Sequence, residues 1–122
     1  MPRVVHFQMY VDNPSRAERF YADVFDWSLN QWEGDDSFWL INTGDDAEPG
    51  INGGMLVRPE PSASTTIVMQ VPSVDEYTDR ITNSGGRATV PKFAIPGVGY
   101  AAYFIDTEGN HIGIFQDDEG AA

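Results

Sequence analysis

Apolar and polar residues alternate in short runs along most of this chain. In the first run, residues 4–11, every second residue from Val5 onward is apolar, which predicts a strand with one buried face and one polar face. His6, Gln8 and Tyr10 share the polar face of that predicted strand. The strand therefore places three hydrogen-bonding side chains in one row.

A helix is predicted directly after this strand. Asn13 is a suitable N-cap, and Pro14 takes the first helical position, where its missing N–H costs nothing. Apolar residues then recur at helical spacing, which predicts a helix that packs on a sheet and ends near Asp26. The residues of this expected buried stripe are Ala17, Phe20, Tyr21, Val24 and Phe25.

Further strands follow, and the second half of the chain repeats the order of the first. Ser73 and Glu76 form a capping box that starts the second predicted helix, and Gly85 with Gly86 ends it. Apolar runs bounded by turn residues predict the remaining strands. These strands cover residues 27–32, 37–42, 54–58, 65–71, 87–90, 100–105 and 112–116, with a crossing loop over 93–99.

The two halves align at an offset of sixty residues, which pairs Gly53 with Gly113 and His6 with Thr66. Each half then reads as one βαβββ unit, whose sheet face needs a partner to cover it. We therefore expect a single α+β domain over residues 1–122. Its parts are module one at about 3–58, a proline-rich connector at 59–64, module two at about 65–117 and a solvated acidic tail at 118–122.

Composition narrows the class of protein. The chain has 122 residues, no cysteine and a net charge of −12, from 19 acidic and seven basic residues. Thiolate chemistry is therefore excluded, and binding to nucleic acid or to an anionic membrane is not expected. No long apolar run or export signal is evident, so we expect a cytoplasmic protein. Such acidity, with Lys92 as the single lysine, suits a high-salt cytoplasm, and an ordinary acidic protein is the alternative.

Four features of the chain occur together and in order: His6 on the first strand, the helix over residues 13–27, the pair Gly53–Gly54, and the turn Asp106-Thr107-Glu108-Gly109-Asn110. Together they resemble the vicinal oxygen chelate superfamily, which includes glyoxalase I, bleomycin resistance proteins and extradiol dioxygenases. The resemblance covers nearly the whole chain and implies two βαβββ modules that form an open cup-shaped mixed sheet with helices outside. It also implies a homodimer.

The metalloenzymes of this superfamily hold a divalent ion with His, Glu or Gln side chains from the first and last strands of the modules. His6 falls on the first-strand ligand position, but Thr66 stands at its counterpart and Gly113 stands where a carboxylate is expected. A catalytic zinc, nickel or iron ion needs three or more protein donors. The remaining candidates for a divalent-metal site are His6, Gln8 and His111.

We therefore expect a protein that binds a small molecule in the cup without the full metal site of the family, either as a binding module or as an enzyme with a non-metal mechanism. The alternative is a divalent-metal-dependent lyase or dioxygenase of the glyoxalase type that uses His6, and a purely structural dimerisation module is a third reading. The residues predicted to line the ligand are His6, Gln8, Trp39, Met55, Thr66, Tyr103, Gly113 and Phe115.

Overall fold

The predicted order of helices and strands is confirmed by the structure, a computed structural model that describes residues 2–122. The fold is α+β, as expected. Its elements are β1 (Arg3–Val11), α1 (Pro14–Phe25), β2 (Ser28–Trp32), β3 (Asp35–Asn42), β4 (Gly53–Val57), β5 (Thr66–Gln70), α2 (Val74–Asn83), β6 (Arg87–Ile95), β7 (Gly99–Ile105) and β8 (His111–Asp117). Neither helix of the described residues is long and apolar enough to cross a membrane.

The chain divides into two compact units, and each contains one helix and one mixed sheet. The first unit covers residues 6–65, and the second covers residues 66–122 together with the first residues of the chain. Strand order is β2-β3-β4-β1 in the first unit and β5-β8-β7-β6 in the second. The first and last strands of each unit, β1 with β4 and β5 with β8, are parallel neighbours, and the other pairs are antiparallel.

In the first unit, the core lies between the sheet and α1. Leu29, Ile41 and Met55 are buried there, and Ala17 and Tyr21 of α1 pack against them. Because side chains alternate along a strand, the residues between these core positions point to the opposite face of the sheet. We call that opposite face the distal face.

Helix α1 begins as predicted but presents fewer residues to the sheet. The Asn13 side chain accepts a hydrogen bond from the Arg16 backbone N–H at 3.1 Å, and Pro14 occupies the first turn. Phe20, Val24 and Phe25, expected in the buried stripe, are instead exposed. An apolar stripe of α1 therefore remains uncovered in this chain.

Asp26 ends α1 in the left-handed region, with φ 60° and ψ 27°. This conformation strains a residue that has a Cβ atom, and glycine adopts it without penalty. We expect Asp26→Gly to raise the free energy of unfolding by about 1 kcal/mol in urea denaturation. Ala22→Gly, placed inside the same helix, should lower it by about the same amount. If Asp26→Gly instead lowered the free energy of unfolding, the interactions of the aspartate side chain would outweigh the strain of its left-handed backbone.

The core of the second unit is built in the same way around α2. Phe104, Val74 and Ile114 are buried in it. One half of the predicted capping box is present at the start of α2, where the Ser73 side chain accepts a hydrogen bond from the Glu76 backbone N–H at 3.1 Å. The Glu76 carboxylate instead accepts a hydrogen bond from the Arg80 guanidinium at 3.1 Å.

The single lysine connects β6 to this helix. The ammonium of Lys92 lies 3.1 Å from a carboxylate oxygen of Asp75 and 4.5 Å from the centre of the Tyr100 ring. One cation therefore contacts both a carboxylate of α2 and an aromatic ring of β7.

Two predicted segments of the second unit differ from the structure. Strand β6 continues through Pro91 to Ile95, so the first three residues of the expected loop at 93–99 are strand, and two register irregularities accommodate the extra residues. In the acidic tail Glu119 is exposed, as expected, but Ala121 is only 5% exposed, and its carbonyl accepts a hydrogen bond from the Gly97 N–H at 2.9 Å. The chain end is therefore held by the turn between β6 and β7.

Candidate functional site

The distal face of the first sheet carries the polar row of β1. Strand pairing places Gln8 beside Gly54, and Gly54 beside Leu40. Gln8 is one of the two buried polar residues of the described chain, at 5% exposure, whereas Leu40 on the same face is 47% exposed. A buried amide thus lies close to an accessible apolar surface.

The side chain of Gln8 joins His6 to Tyr10. The Oε1 atom of Gln8 lies 3.0 Å from Nε2 of His6, and the Gln8 side chain also hydrogen-bonds Tyr10. A carbonyl oxygen only accepts, so Nε2 of His6 carries the proton and Nδ1 keeps its lone pair. Because this interaction with Gln8 lowers the pKa of Tyr10, we assign the amide N–H of Gln8 as the donor and the phenol oxygen as the acceptor, which leaves the phenolic hydrogen for another acceptor.

Burial keeps both ends of this network uncharged near neutral pH. It lowers the pKa of His6 below 6.5, and the hydrogen bond to Gln8 offsets part of that effect. It also raises the pKa of Tyr10 above 10.0, again with a smaller opposing contribution from Gln8. The row therefore offers one neutral acceptor, Nδ1 of His6, and one neutral donor, the hydroxyl of Tyr10.

The lowered pKa of His6 makes stability depend on pH in a defined direction. The unfolded chain takes up a proton at His6 near pH 6.5, whereas the folded chain does so only at lower pH. The contribution is therefore fully present above pH 6.5 and is lost as the pH falls toward the folded pKa. Urea denaturation between about pH 5 and about pH 7.5 should give a stability difference between wild type and His6→Asn that grows with pH and then levels off.

His111→Asn serves as the control for this experiment, because it changes the other histidine and leaves the row intact. The stability difference between His111→Asn and the double variant H6N/H111N should show the same dependence on pH, since His111 is absent from both. A difference between wild type and His6→Asn that stays constant across the range would contradict the lowered pKa.

Aromatic rings lie next to this row. The Phe38 ring covers Gly54, where an added methyl carbon would come within 2.7 Å of Cε2 of the ring and 3.2 Å of the Gln8 Oε1 atom. Trp32 meets Phe38 edge to face, with ring centres 5.9 Å apart. The absence of a side chain at Gly54 is what lets the Phe38 ring approach the amide of Gln8.

The second unit carries a related arrangement on the sheet face directed away from α2. The Tyr103 ring covers Gly113, where an added methyl carbon would lie 2.7 Å from Cε1 of the ring. Phe93 stacks on Tyr103 with ring centres 6.1 Å apart. Four predicted ligand-lining residues share this face by strand pairing and alternation, and so does His111. The four are Thr66, Tyr103, Gly113 and Phe115.

Two predicted ligand-lining residues lie on the helix side of the first sheet instead. Met55 is completely buried in the core under α1, and Trp39, paired with it across β3 and β4, packs against the same core. Met55 therefore has no exposed surface that a ligand could contact. Their sequence neighbours Phe38 and Gly54 lie on the distal face in their place.

Two residues of the row and its surroundings were not among the predicted site residues. Alternation along β1 placed Tyr10 on the same face as His6 and Gln8, but Tyr10 was not predicted to line the ligand. Phe38 was not predicted to line it either. The signal for Phe38 lies in the repeat. In the first unit Gln8 pairs with Gly54. Its counterpart sixty residues later, Val68, pairs with Gly113. The residue that corresponds to Gly113 is therefore Gly54 and not Gly53. The offset between the last strands is therefore 59 residues, and this one-residue change exchanges the two faces.

The residues present do not fit the metal site that the resemblance implies. No group of three His, Cys, Asp or Glu side chains suited to a metal ion occurs among residues 2–122. At Gly113, where the family would place a carboxylate, the Tyr103 ring occupies the space next to Cα. His6 and Gln8 supply only one nitrogen and one amide oxygen, and these already bond to each other.

The fold and this site define an α+β protein of two βαβββ units with a polar row on the first strand. The family model described as Glyoxalase/Bleomycin resistance protein/Dioxygenase superfamily matches residues 3–114, and the chain belongs to this family. A search of curated protein sequences found no match.

Solved structures share the fold at low sequence identity. A protein from Legionella pneumophila described as NAD-dependent benzaldehyde dehydrogenase is 23% identical, with a TM-score of 0.64 over 93% of this chain and 98% of that chain. Methylmalonyl-CoA epimerase from Mycobacterium tuberculosis is 13% identical, with a TM-score of 0.66 over 94% and 87%. A glyoxalase/bleomycin resistance protein/dioxygenase superfamily member from Vibrio splendidus 12B01 is 14% identical, with a TM-score of 0.65 over 97% and 100%. At these identities the similarities establish the fold alone.

Proposed function

We propose that this protein binds an uncharged small molecule with a planar apolar part on the distal face of the first sheet, without a metal ion. The hydrogen-bonded row of His6, Gln8 and Tyr10 is the observation that carries the proposal. A buried amide between two titratable side chains is costly to maintain unless every polar atom is satisfied. In this row each end group keeps one hydrogen-bonding position for a further partner.

The uncharged end groups of the row favour an uncharged ligand. Its pKa shifts favour an uncharged imidazole and an uncharged phenol, so neither end attracts an ion. The net charge of −12 adds a general repulsion against anions. A ligand that donates one hydrogen bond to Nδ1 of His6 and accepts one from Tyr10 satisfies both ends without burying a charge.

The rings beside the row favour a planar apolar group. Phe38 and Trp32 present an aromatic pair, and Leu40 on the same face leaves nearly half of its surface exposed. Offset or edge-to-face stacking on such rings contributes about 0.5–1.5 kcal/mol beyond the burial of area. An aromatic ring bearing a hydroxyl and a carbonyl group combines the two requirements.

Calorimetric titration with 4-hydroxyacetophenone, which carries both groups on one ring, tests the proposal. We expect saturable binding and weaker binding of the anion 4-hydroxybenzoate. Gln8→Leu should weaken binding of 4-hydroxyacetophenone about tenfold or more, because it leaves His6 and Tyr10 without their common partner.

Gln31→Leu is the matched control, since Gln31 belongs to the other face of the sheet and donates to the Asp36 carbonyl at 2.6 Å. It should leave the affinity unchanged. Absence of saturable binding, or an equal loss in both variants, would overturn the proposal. A stronger affinity for the anion would contradict the argument from neutrality.

A further inference from the structure

The turn end of the β2–β3 hairpin carries a bulge. Pairing between the two strands is regular until Trp32, which pairs with Asp35, so residues 36–38 are extra residues of β3. The Asp35 carboxylate accepts hydrogen bonds from the N–H and the hydroxyl of Ser37, at 2.9 Å and 2.6 Å. Bulges redirect nearby side chains and are frequent next to active sites. This bulge is held by its own hydrogen bonds, so it can support the rings beside it.

The ring of Trp32 lies between this turn and Phe38. A methyl carbon added at Gly34 would come within 3.1 Å of Cη2 and Cζ2 of Trp32, so the indole lies close over the glycine backbone. On its other side the indole meets the Phe38 ring at 72°, with ring centres 5.9 Å apart. Both rings are half-buried. The indole is therefore packed on the hairpin turn and on Phe38.

Phe38 is in turn confined between Trp32 and the polar row. A methyl carbon added at Gly54 would lie 2.7 Å from Cε2 of the Phe38 ring and 3.2 Å from Oε1 of Gln8. One side of the ring thus adjoins the amide of the row, and the indole blocks its movement toward β2. The position of the Phe38 ring therefore depends on Trp32.

The confined ring narrows the distal face next to the row. Strands β1 and β3 are the two neighbours of β4, so their backbones lie about 10 Å apart. Phe38 belongs to β3, and its ring reaches over Gly54 of β4 into this space. A flat ligand at the row therefore meets the Phe38 ring on the side of β4.

We propose that Trp32 is a positioning residue that limits the ligand to a single aromatic ring by holding Phe38 beside the row. The inference deepens the proposed function and rests on it, since it assumes a ligand bound at His6, Gln8 and Tyr10. A second fused ring directed toward β3 would require Phe38 to move, and the indole behind it prevents that movement. The expected ligand class is therefore monocyclic hydroxyaryl carbonyl compounds.

A ligand of greater width but equal length tests this limit. In 4-acetyl-1-naphthol the hydroxyl and the carbonyl group keep the spacing that they have in 4-hydroxyacetophenone, and the second ring is added at the side. Although it has more apolar area to bury, we expect it to bind wild type at least about tenfold more weakly in calorimetric titration. Trp32→Ala should reduce this preference for the single ring by about tenfold or more.

A double-mutant cycle separates positioning through Phe38 from a general structural role of Trp32. Phe38→Ala alone should also remove the preference, and adding Trp32→Ala to it should change the ratio of the two affinities by less than about twofold. Trp32→Phe retains a ring for Phe38 to pack against and should keep most of the preference. Circular dichroism verifies the fold of each variant.

Leu40→Ala is the matched control, because it removes an exposed apolar side chain of β3 from the same face. It should weaken both ligands to a similar degree and leave the ratio of affinities unchanged. Equal affinity of wild type for the two ligands, or an unchanged ratio in Trp32→Ala, would overturn the inference and leave the proposed function standing. Absence of saturable binding of either ligand would overturn both.

Discussion

Truncating Met55 to alanine should lower the free energy of unfolding by about 2–5 kcal/mol. Met55 has no exposed surface and fills the space between Leu29 and Ile41 beneath α1. Removing its side chain leaves a cavity that the surrounding sheet and helix cannot collapse to fill, so the loss includes both the transfer of apolar atoms and the cavity itself. Chemical denaturation followed by circular dichroism measures the change.

Leu56→Ala is the matched control for this prediction. Leu56 is the next residue of β4, points to the distal face and is only half-buried. Its truncation should cost roughly 1 kcal/mol, because fewer contacts are lost and no closed cavity forms. An equal or larger loss for Leu56→Ala would contradict the assignment of Met55 to the core.

Gly54→Ala should combine a loss of stability with a loss of binding at the polar row. The added methyl group would lie 2.7 Å from Cε2 of Phe38 and 3.2 Å from the Gln8 Oε1 atom, so the ring must move away from the sheet. Overpacking of this kind costs about 1–3 kcal/mol. Because the displaced ring flanks the proposed ligand, the affinity for 4-hydroxyacetophenone should fall as well.

A double-mutant cycle identifies the ring as the cause. In a Phe38→Ala background only the 3.2 Å approach to the Gln8 Oε1 atom remains, so Gly54→Ala should cost much less, and the coupling between the two changes should reach about 1 kcal/mol or more. Gly44→Ala provides a control, since its added methyl group would meet only the Glu48 carboxylate at an ordinary 3.5 Å. If the stability losses of Gly54→Ala and Phe38→Ala simply added, the Phe38 ring would not be the cause of the cost at Gly54.

The order of the elements was predictable because each boundary has a local chemical cause. Asn13 followed by Pro14 starts α1, and Ser73 with Glu76 starts α2, through backbone groups that need partners wherever the helix lies. The Asp106 carboxylate likewise accepts hydrogen bonds from the backbone N–H groups of Glu108 and Asn110, both at 2.8 Å, and closes the turn before β8. Such signals depend on neighbours in sequence and not on distant packing.

The faces of the strands were less predictable, and this is why part of the predicted site was misplaced. In β3 the four residues 38–41 are all apolar, so alternation does not distinguish the core side from the distal side. A single fixed offset for the repeat does not resolve the faces either, because the loops of the two units differ in length. Where the polarity of β1 did alternate, at His6 and Gln8, the residues were placed on the same face as expected.

The remaining differences between prediction and structure arise from packing between distant parts of the chain. Nothing local in the sequence indicates that Ala121 is held against Gly97, and the acidic residues before it favour a solvated end. The exposure of Phe20 depends on which side of α1 meets the sheet, which helical spacing alone leaves open across a wide apolar stripe. Both differences lie in contacts between segments distant in sequence or in the orientation of a whole element.

The contact of Lys92 with Asp75 and Tyr100 has a practical consequence for labelling. Lys92 is the only lysine, so an amine-directed fluorophore would mark a single side chain of the protein, in the second unit. The reagent needs an uncharged amine free of its carboxylate and ring, so the rate of labelling should follow how often the Lys92 side chain leaves Asp75 and Tyr100.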